Sequence, residues 1–365
     1  MKILYVTTVA STMFFFPAHI KMLQDAGHTV EMAANLTSPL TPAVPDFNCK
    51  FHQIDFSRSP LSADNKRAYR QLKELLNNGH YDIVHTHTPN ASAMVRFAAI
   101  KMRKKGMRVL YTAHGFHFYK GAPAKNWLLY YPMEWLCAHW TDTLITINKE
   151  DYVRAQRHMH AKKVEYVPGV GLNLSRFQNL QIDRAAIRKE VGIPDQAPLL
   201  LSVGELNLNK NHQIVIHALA RMGRPDVHYM IAGEGDNKQA LIDFAKQMGV
   251  EKQVHLMGYR TDIPELLHVA DAYILPSIRE GLNVSLMEAM ASGLPCACSR
   301  IRGNVDLIDS KGGVLFNPQS VEGVKEAMQE ILSCDFKAMG DYNARKVQNF
   351  SCEKVLDQLH RIYGI

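Results

Sequence analysis

The sequence predicts an α/β protein built from two doubly wound parallel-sheet domains. Three observations carry that expectation. Short apolar runs alternate with helical patterns along the chain, the order of a parallel sheet covered on both faces. The scheme runs twice, on either side of the irregular, glycine-rich stretch VPGVGLNLSRF at 167–177. At 365 residues the chain is long enough for two cores.

The elements follow in order. KILYVTT at 2–8 reads as a buried first strand. The first eighteen residues look superficially like a signal peptide. Thr7, Thr8, Ser11 and Thr12 interrupt the apolar stretch, however, and no small-residue cleavage site follows. Further strands are expected at 29–34, 50–55, 82–87, 108–113, 143–147 and 163–167, with helices at 17–24, 63–76, 91–105 and 127–139. The second half supplies strands at 198–203, 227–232, 253–257, 272–275, 295–298 and 314–316. Its helices are expected at 212–222, 238–248, 262–269 and 284–292. Domains of 1–170 and 171–349 follow, facing each other across a cleft, with a C-terminal helix at about 350–365 packing back on the first. Ligands of such sheets bind at the carboxyl ends of the strands.

Composition narrows the function classes. Apolar residues make up 47% and charged residues 21%, ordinary for a globular protein. No run of eighteen apolar residues is present, so no membrane-spanning helix is expected. Six scattered cysteines form neither a disulfide scaffold nor a zinc pattern, and reduced thiols in the cytoplasm are expected. Residues 1–170 hold 21 Lys and Arg against 12 Asp and Glu, an excess of +9, whereas 171–365 hold 21 against 23. A polyanionic partner of the first half is implied. Lys101, Arg103, Lys104, Lys105 and Arg108 cluster there, near the aromatics Phe14, Phe15, Phe16 and WLLYYPMEW at 127–135. That combination suits an anionic membrane surface, with a plain solvated face as the competing reading. No nucleic-acid-binding module is recognisable, so no nucleic acid is expected as a partner.

The most informative stretch is PSIREGLNVSLMEAMASGLP at 276–295. A helix beginning near Val284 places Glu288 in its second turn and Glu280 just before its positive end. Backbone N–H groups around Gly281, Leu282 and Asn283 are then a ready site for phosphate or sugar oxygens. On spacing alone the two carboxylates read as a solvated residue and a cap.

EGLNVSLMEAMASGLP resembles the E-x7-E signature of retaining GT-B glycosyltransferases of the group 1 class, glycosyltransferase family four. LMGYRTDIPELLHVADAYILPS, IAGEGDNKQAL and VGELNLNKNH are similar to further motifs of that class, and MKILYVTT, DIVHTHTP and YTAHGFHF fit its first half. The resemblance implies the GT-B fold, two Rossmann-like domains. It implies that Glu288 binds the ribose of a sugar nucleotide and Glu280 the donor-sugar hydroxyls. The amides of Gly281, Leu282 and Asn283 would hold sugar and diphosphate, and Lys210 would neutralise the leaving diphosphate. Gly204 and the turn of Gly258, Tyr259 and Arg260 would also face the nucleotide. His114 would contact donor sugar or acceptor, which makes His114, Lys210 and Glu280 the catalytic set. Two departures stand out. Glu205 occupies a position where the family often carries Arg, with Arg260 a candidate substitute, and TTVASTMFFFP lacks the glycine pair usual after the first strand.

His85 and His87 lie two apart and face one way on a strand, so with His114 they could hold zinc. No Asp, Glu or Cys completes a ligand motif, and no metal is expected. His85 and His87 read better as hydrogen-bonded structural groups. The G-x-G at Gly233 and Gly235 lacks the rest of a dinucleotide fingerprint and reads as a tight turn.

The resemblance therefore implies transfer of a hexosyl or N-acetylhexosaminyl group from a nucleotide sugar, most simply a UDP-sugar, with retention and without a metal or other cofactor. The acceptor would be a glycan or a polyprenyl-diphosphate-linked saccharide in capsule or exopolysaccharide assembly, at the inner face of a membrane. A non-hydrolysing sugar-nucleotide epimerase and a non-catalytic sugar-nucleotide-binding protein are the alternatives.

Overall fold

In β1 (Lys2–Val9) seven consecutive residues after Lys2 are buried, and a strand buried on both faces has to be covered on both faces. Ile3 and Tyr5 enter one core and Leu4 and Val6 another, the period of two that a strand imposes. The computed structural model describes residues 1–37, 47–60, 62–178 and 180–365. It divides into one unit of residues 1–171 and 352–365 and a second of residues 172–351.

The first unit continues with β2 (Thr29–Asn35), β3 (Lys50–Gln53), β4 (Ile83–His87), β5 (Arg108–Ala113), β6 (Thr143–Thr146) and β7 (Lys163–Tyr166). All pair in parallel, in the order β3-β2-β1-β4-β5-β6-β7. The winding direction reverses between β1 and β4, and His87 and His114 stand at or just past the carboxyl ends of β4 and β5. The expected helix over 91–105 begins earlier, at Pro89, whose fixed φ suits a first turn. It stops at Ala98, and a separate turn spans Ile100–Arg103.

The C-terminal helix Cys352–Tyr363 belongs to this unit, because its apolar stripe has a home there. Val355, Leu359 and Tyr363 are buried in the core of Ile3, Tyr5 and Leu110. Arg108 donates to the carbonyls of Ile362 at 2.6 Å and Tyr363 at 2.8 Å, supplying donors to the last turn.

The second unit holds β8 (Leu199–Val203), β9 (His228–Ala232), β10 (Val254–Leu256), β11 (Ala272–Leu275), β12 (Cys296–Ser299) and β13 (Gly313–Phe316). Their parallel order is β10-β9-β8-β11-β12-β13, with the reversal between β8 and β11. Past the ends of β8 and β9 two backbones run almost in contact. A Cβ on Gly233 would lie 1.9 Å from the Gly204 carbonyl oxygen. Gly233 N–H donates to Gly258 O at 2.8 Å, so the three glycine turns brace one another.

Gly233→Ala is therefore expected to destabilise the protein by about 2 kcal/mol or more, since backbone rather than a side chain must move. A urea unfolding midpoint unchanged from wild type would contradict the close approach.

Candidate active site

In the second unit the expected residues gather past the ends of β8 and β11, beside the reversal of strand order. Asparagines at 207, 209 and 211 shape the loop that carries Lys210. Asn207 Oδ1 accepts from Lys210 N–H at 3.0 Å, and Asn209 Nδ2 donates to Arg279 O at 3.0 Å. Asn211 Nδ2 donates to Pro276 O at 3.2 Å from a left-handed conformation, φ 56°. The Lys210 stem crosses Gly204, where a Cβ would come within 3.1 Å of Cε. This threading delivers Lys210 Nζ to Glu280 Oε1 at 2.7 Å, with side chains 16% and 13% exposed. The residues that the family resemblance sets against diphosphate and sugar thus form a half-buried ion pair.

The loop after Glu280 is clamped from two sides. Asn283 caps the helix Val284–Ala291, its Oδ1 accepting from Leu286 N–H at 2.9 Å, and Tyr273 OH donates to Ser285 Oγ at 2.7 Å. Behind the loop, Arg302 Nε donates to Glu280 O at 3.2 Å. Gly303, at φ 80°, packs so closely on Gly281 that a Cβ would stand 2.1 Å from its carbonyl oxygen. Arg302, Gly303 and the three asparagines escaped the sequence reading. The N-x-N-x-N spacing was a visible signal, whereas nothing near Arg302 marks it.

Glu288 is one turn further along the helix. Burial pushes its carboxyl up to about 7, opposed only by the positive charge of Arg176. A carboxylate at its ionisation threshold can accept from a diol when charged. Arg260 is engaged elsewhere: its guanidinium forks Asp262 at 2.8 and 2.5 Å and approaches Glu190 at 3.6 Å. It is therefore occupied rather than free to replace the cation missing at exposed Glu205. Tyr259 is 72% exposed beside Gly258.

In the first unit the histidines form a chain. His85 spends both ring nitrogens, Nδ1 on Tyr363 OH at 2.5 Å and Nε2 on Thr112 Oγ1 at 2.8 Å. His87 is packed between Tyr5 and Phe16, and its Nδ1 meets His114 Nε2 at 3.0 Å. His87 Nε2 is buried without a partner. A buried N–H lacking an acceptor is the rarer defect, so the His87 proton belongs on Nδ1, donating to His114. His114 then carries its own proton on Nδ1, a donor with no partner among the described residues. Burial drives the His114 pKa down to about 4 and keeps the ring neutral at pH 7. Among the described residues no group of three His, Cys, Asp or Glu has the arrangement to hold a metal ion.

The chain is similar to known proteins along its length. Residues 183–347 match the family model of Glycosyl transferases group 1, and residues 2–148 match that of Glycosyl transferase 4-like proteins. The chain is 36% identical to a Bacillus subtilis protein named as a glycosyltransferase, EpsD, over 100% of this chain and 96% of that one. It is 26% identical to the Escherichia coli UDP-Gal:alpha-D-GlcNAc-diphosphoundecaprenol alpha-1,3-galactosyltransferase, covering 94% and 90%. Among solved structures, Anabaena HepE in complex with UDP and glucose superposes with a TM-score of 0.82 at 16% identity, covering 100% and 99%. The two parallel-sheet units are those of the GT-B fold.

The Glu288 shift has a sign that can be tested. With a folded pKa of about 7 against 4.5 unfolded, the native state binds the extra proton between those values. Stability then falls as pH rises through that window, by about 3 kcal/mol in all. Glu288→Gln removes the fall, so its urea midpoint relative to wild type should rise between pH 5 and pH 8. A pH-independent difference would contradict the buried carboxylate.

Proposed function

Because the chain belongs to the group 1 glycosyl transferases, we propose that it moves a hexose or N-acetylhexosamine from a UDP-sugar, with retention, onto a polyprenyl-diphosphate-linked glycan. The setting is surface-polysaccharide assembly at the cytoplasmic face of a membrane. The observation that carries this reading is the Lys210–Glu280 pair. A cation and a carboxylate held together on two loops can exchange each other for a ligand carrying both anion and hydroxyls. The ammonium takes the diphosphate and the carboxylate takes the sugar hydroxyls. Glu288 takes the ribose diol, and amides of Gly281, Leu282 and Asn283 complete the cradle. The UDP and glucose bound to HepE and the donor and acceptor named for the E. coli relative support the choice of substrates.

In the proposed step the acceptor hydroxyl oxygen bonds to the anomeric carbon on the face from which the diphosphate leaves. The anomeric C–O bond breaks, its electron pair stays on the diphosphate, and that oxygen takes the hydroxyl proton. Lys210 stabilises the charge that grows there. Neutral His114 donates its Nδ1 proton as a hydrogen bond to a sugar hydroxyl. The reading assigns no step to a metal.

Lys210→Ala should lower turnover about 10²- to 10³-fold, the usual cost of one such contact. Slow hydrolysis of UDP-sugars, which needs no acceptor, is the assay, and a loss below threefold would sink the assignment. EDTA should leave the wild-type rate intact, whereas complete inhibition reversed by a divalent cation would restore the metal alternative.

A further inference from the structure

The helix Ala124–Ala138 faces two ways. Inward, Cys137 is buried, and Glu134 accepts from Arg96 at 2.8 Å and Tyr111 at 2.9 Å, so its charge is neutralised. Outward it displays Leu128, Leu129, Trp135 and Leu136, with 79, 47, 40 and 40% of their surface exposed. Four large apolar side chains on one solvent-facing stripe are a contact surface rather than scatter. A helix of this kind, in a unit whose lysines at 101, 104 and 105 face solvent, has the make-up of one that lies on an anionic bilayer.

Beneath the same helix lies a cavity of about 720 Å³. Met94, Phe97, Tyr130 and Met133 supply apolar wall, and Arg58 and Lys66 supply positive charge, with no carboxylate partner for either among the described residues. Thr8 and Thr88 also line it, which puts it at the carboxyl ends of β1 and β4, the end of the sheet where His114 stands. Met133 is shared: it borders the cavity and is 44% exposed on the apolar helix face. Arg58 is shared as well. It borders a second cavity of about 340 Å³, whose Asn35, Asp55 and Ser57 carry the hydrogen-bonding groups that sugars use. Apolar wall, cation and polar wall therefore follow one another in space.

We propose that the larger cavity binds a lipid diphosphate, its chain against Met94, Phe97, Tyr130 and Met133 and its diphosphate at Arg58 and Lys66. The outward face of Ala124–Ala138 rests on the bilayer from which the lipid comes. This rests on the glycosyl-transfer reading and names the part of the acceptor that the first unit grips. A sugar alone would leave the apolar wall unmatched, and a free diphosphate would leave the cavity mostly unfilled. The attached saccharide projects from Arg58 into the polar cavity.

Farnesyl diphosphate, inorganic diphosphate and farnesol, titrated separately into the full chain by calorimetry, distinguish the parts of the ligand. Farnesyl diphosphate should bind at least tenfold more tightly than either fragment. Arg58→Glu with Lys66→Glu should weaken it tenfold or more, and so should Met94→Asp, with circular dichroism and the affinity for UDP unchanged. Leu128→Ser with Trp135→Ser and Leu136→Ser should reduce sedimentation with phosphatidylglycerol vesicles even at high salt, where apolar anchoring persists. Farnesyl diphosphate binding no tighter than inorganic diphosphate, or indifferent to these variants, would overturn the lipid site. So would equal sedimentation of the triple variant and wild type. Intact UDP binding in that event leaves the donor reading standing. Wild-type protein that binds farnesyl diphosphate but neither binds UDP nor hydrolyses UDP-sugars would overturn that reading and leave the lipid site in place.

Discussion

The ion pair of Lys210 and Glu280 is the contact around which the second unit is arranged. Each residue sits on a loop past the end of a strand, and neither loop is regular. Asparagines lock one loop, and Asn283, Ser285, Arg302 and Gly303 lock the other, so two long side chains meet at 2.7 Å. A half-buried pair of this kind adds little net stability, because desolvation offsets attraction. What it provides is placement. Cation and carboxylate, 70 positions apart in the chain, are held side by side.

Glu288 and His114 show the same logic in opposite directions. Both are desolvated, and desolvation favours the neutral form of each. For His114 the result is a neutral ring whose tautomer is set by His87 and which presents an N–H. For Glu288 the result is a carboxyl poised near neutrality, a local cost to the fold that a bound diol would offset. A carboxyl raised by desolvation is the kind of group that a binding site is expected to contain.

The positive charge of the first unit is less uniform than its count of residues suggests. Arg96 neutralises Glu134 in the interior, Arg103 forks Asp142 at 2.8 Å, and Arg108 holds the end of the returning C-terminal helix. These arginines serve the fold. Exposed Lys101, Lys104 and Lys105, and Arg58 and Lys66 at the cavity, take part in no such pairing among the described residues. The aromatics divide in the same way, with Phe14 and Phe15 exposed and Phe16 buried against His87.

Local pattern by itself determined the strands, because each is a short apolar run bounded by turn residues, and all thirteen appear within a few residues of their expected ends. The candidates Lys210, Glu280 and Glu288 came from contiguous motifs through their resemblance to a family, because spacing alone read the two carboxylates as a solvated residue and a cap. Only the tertiary structure decided which of them touch. Lys210 and Glu280 are 70 positions apart, and their meeting depends on neighbouring strands β8 and β11 ending side by side. It also decided that Arg260 and Arg103 are already paired and that the carboxyl of Glu288 is raised. The site braces Arg302 and Gly303 were likewise visible only in three dimensions. Charge state and partner depend on burial and on residues distant in the chain, and neither quantity is written in local sequence.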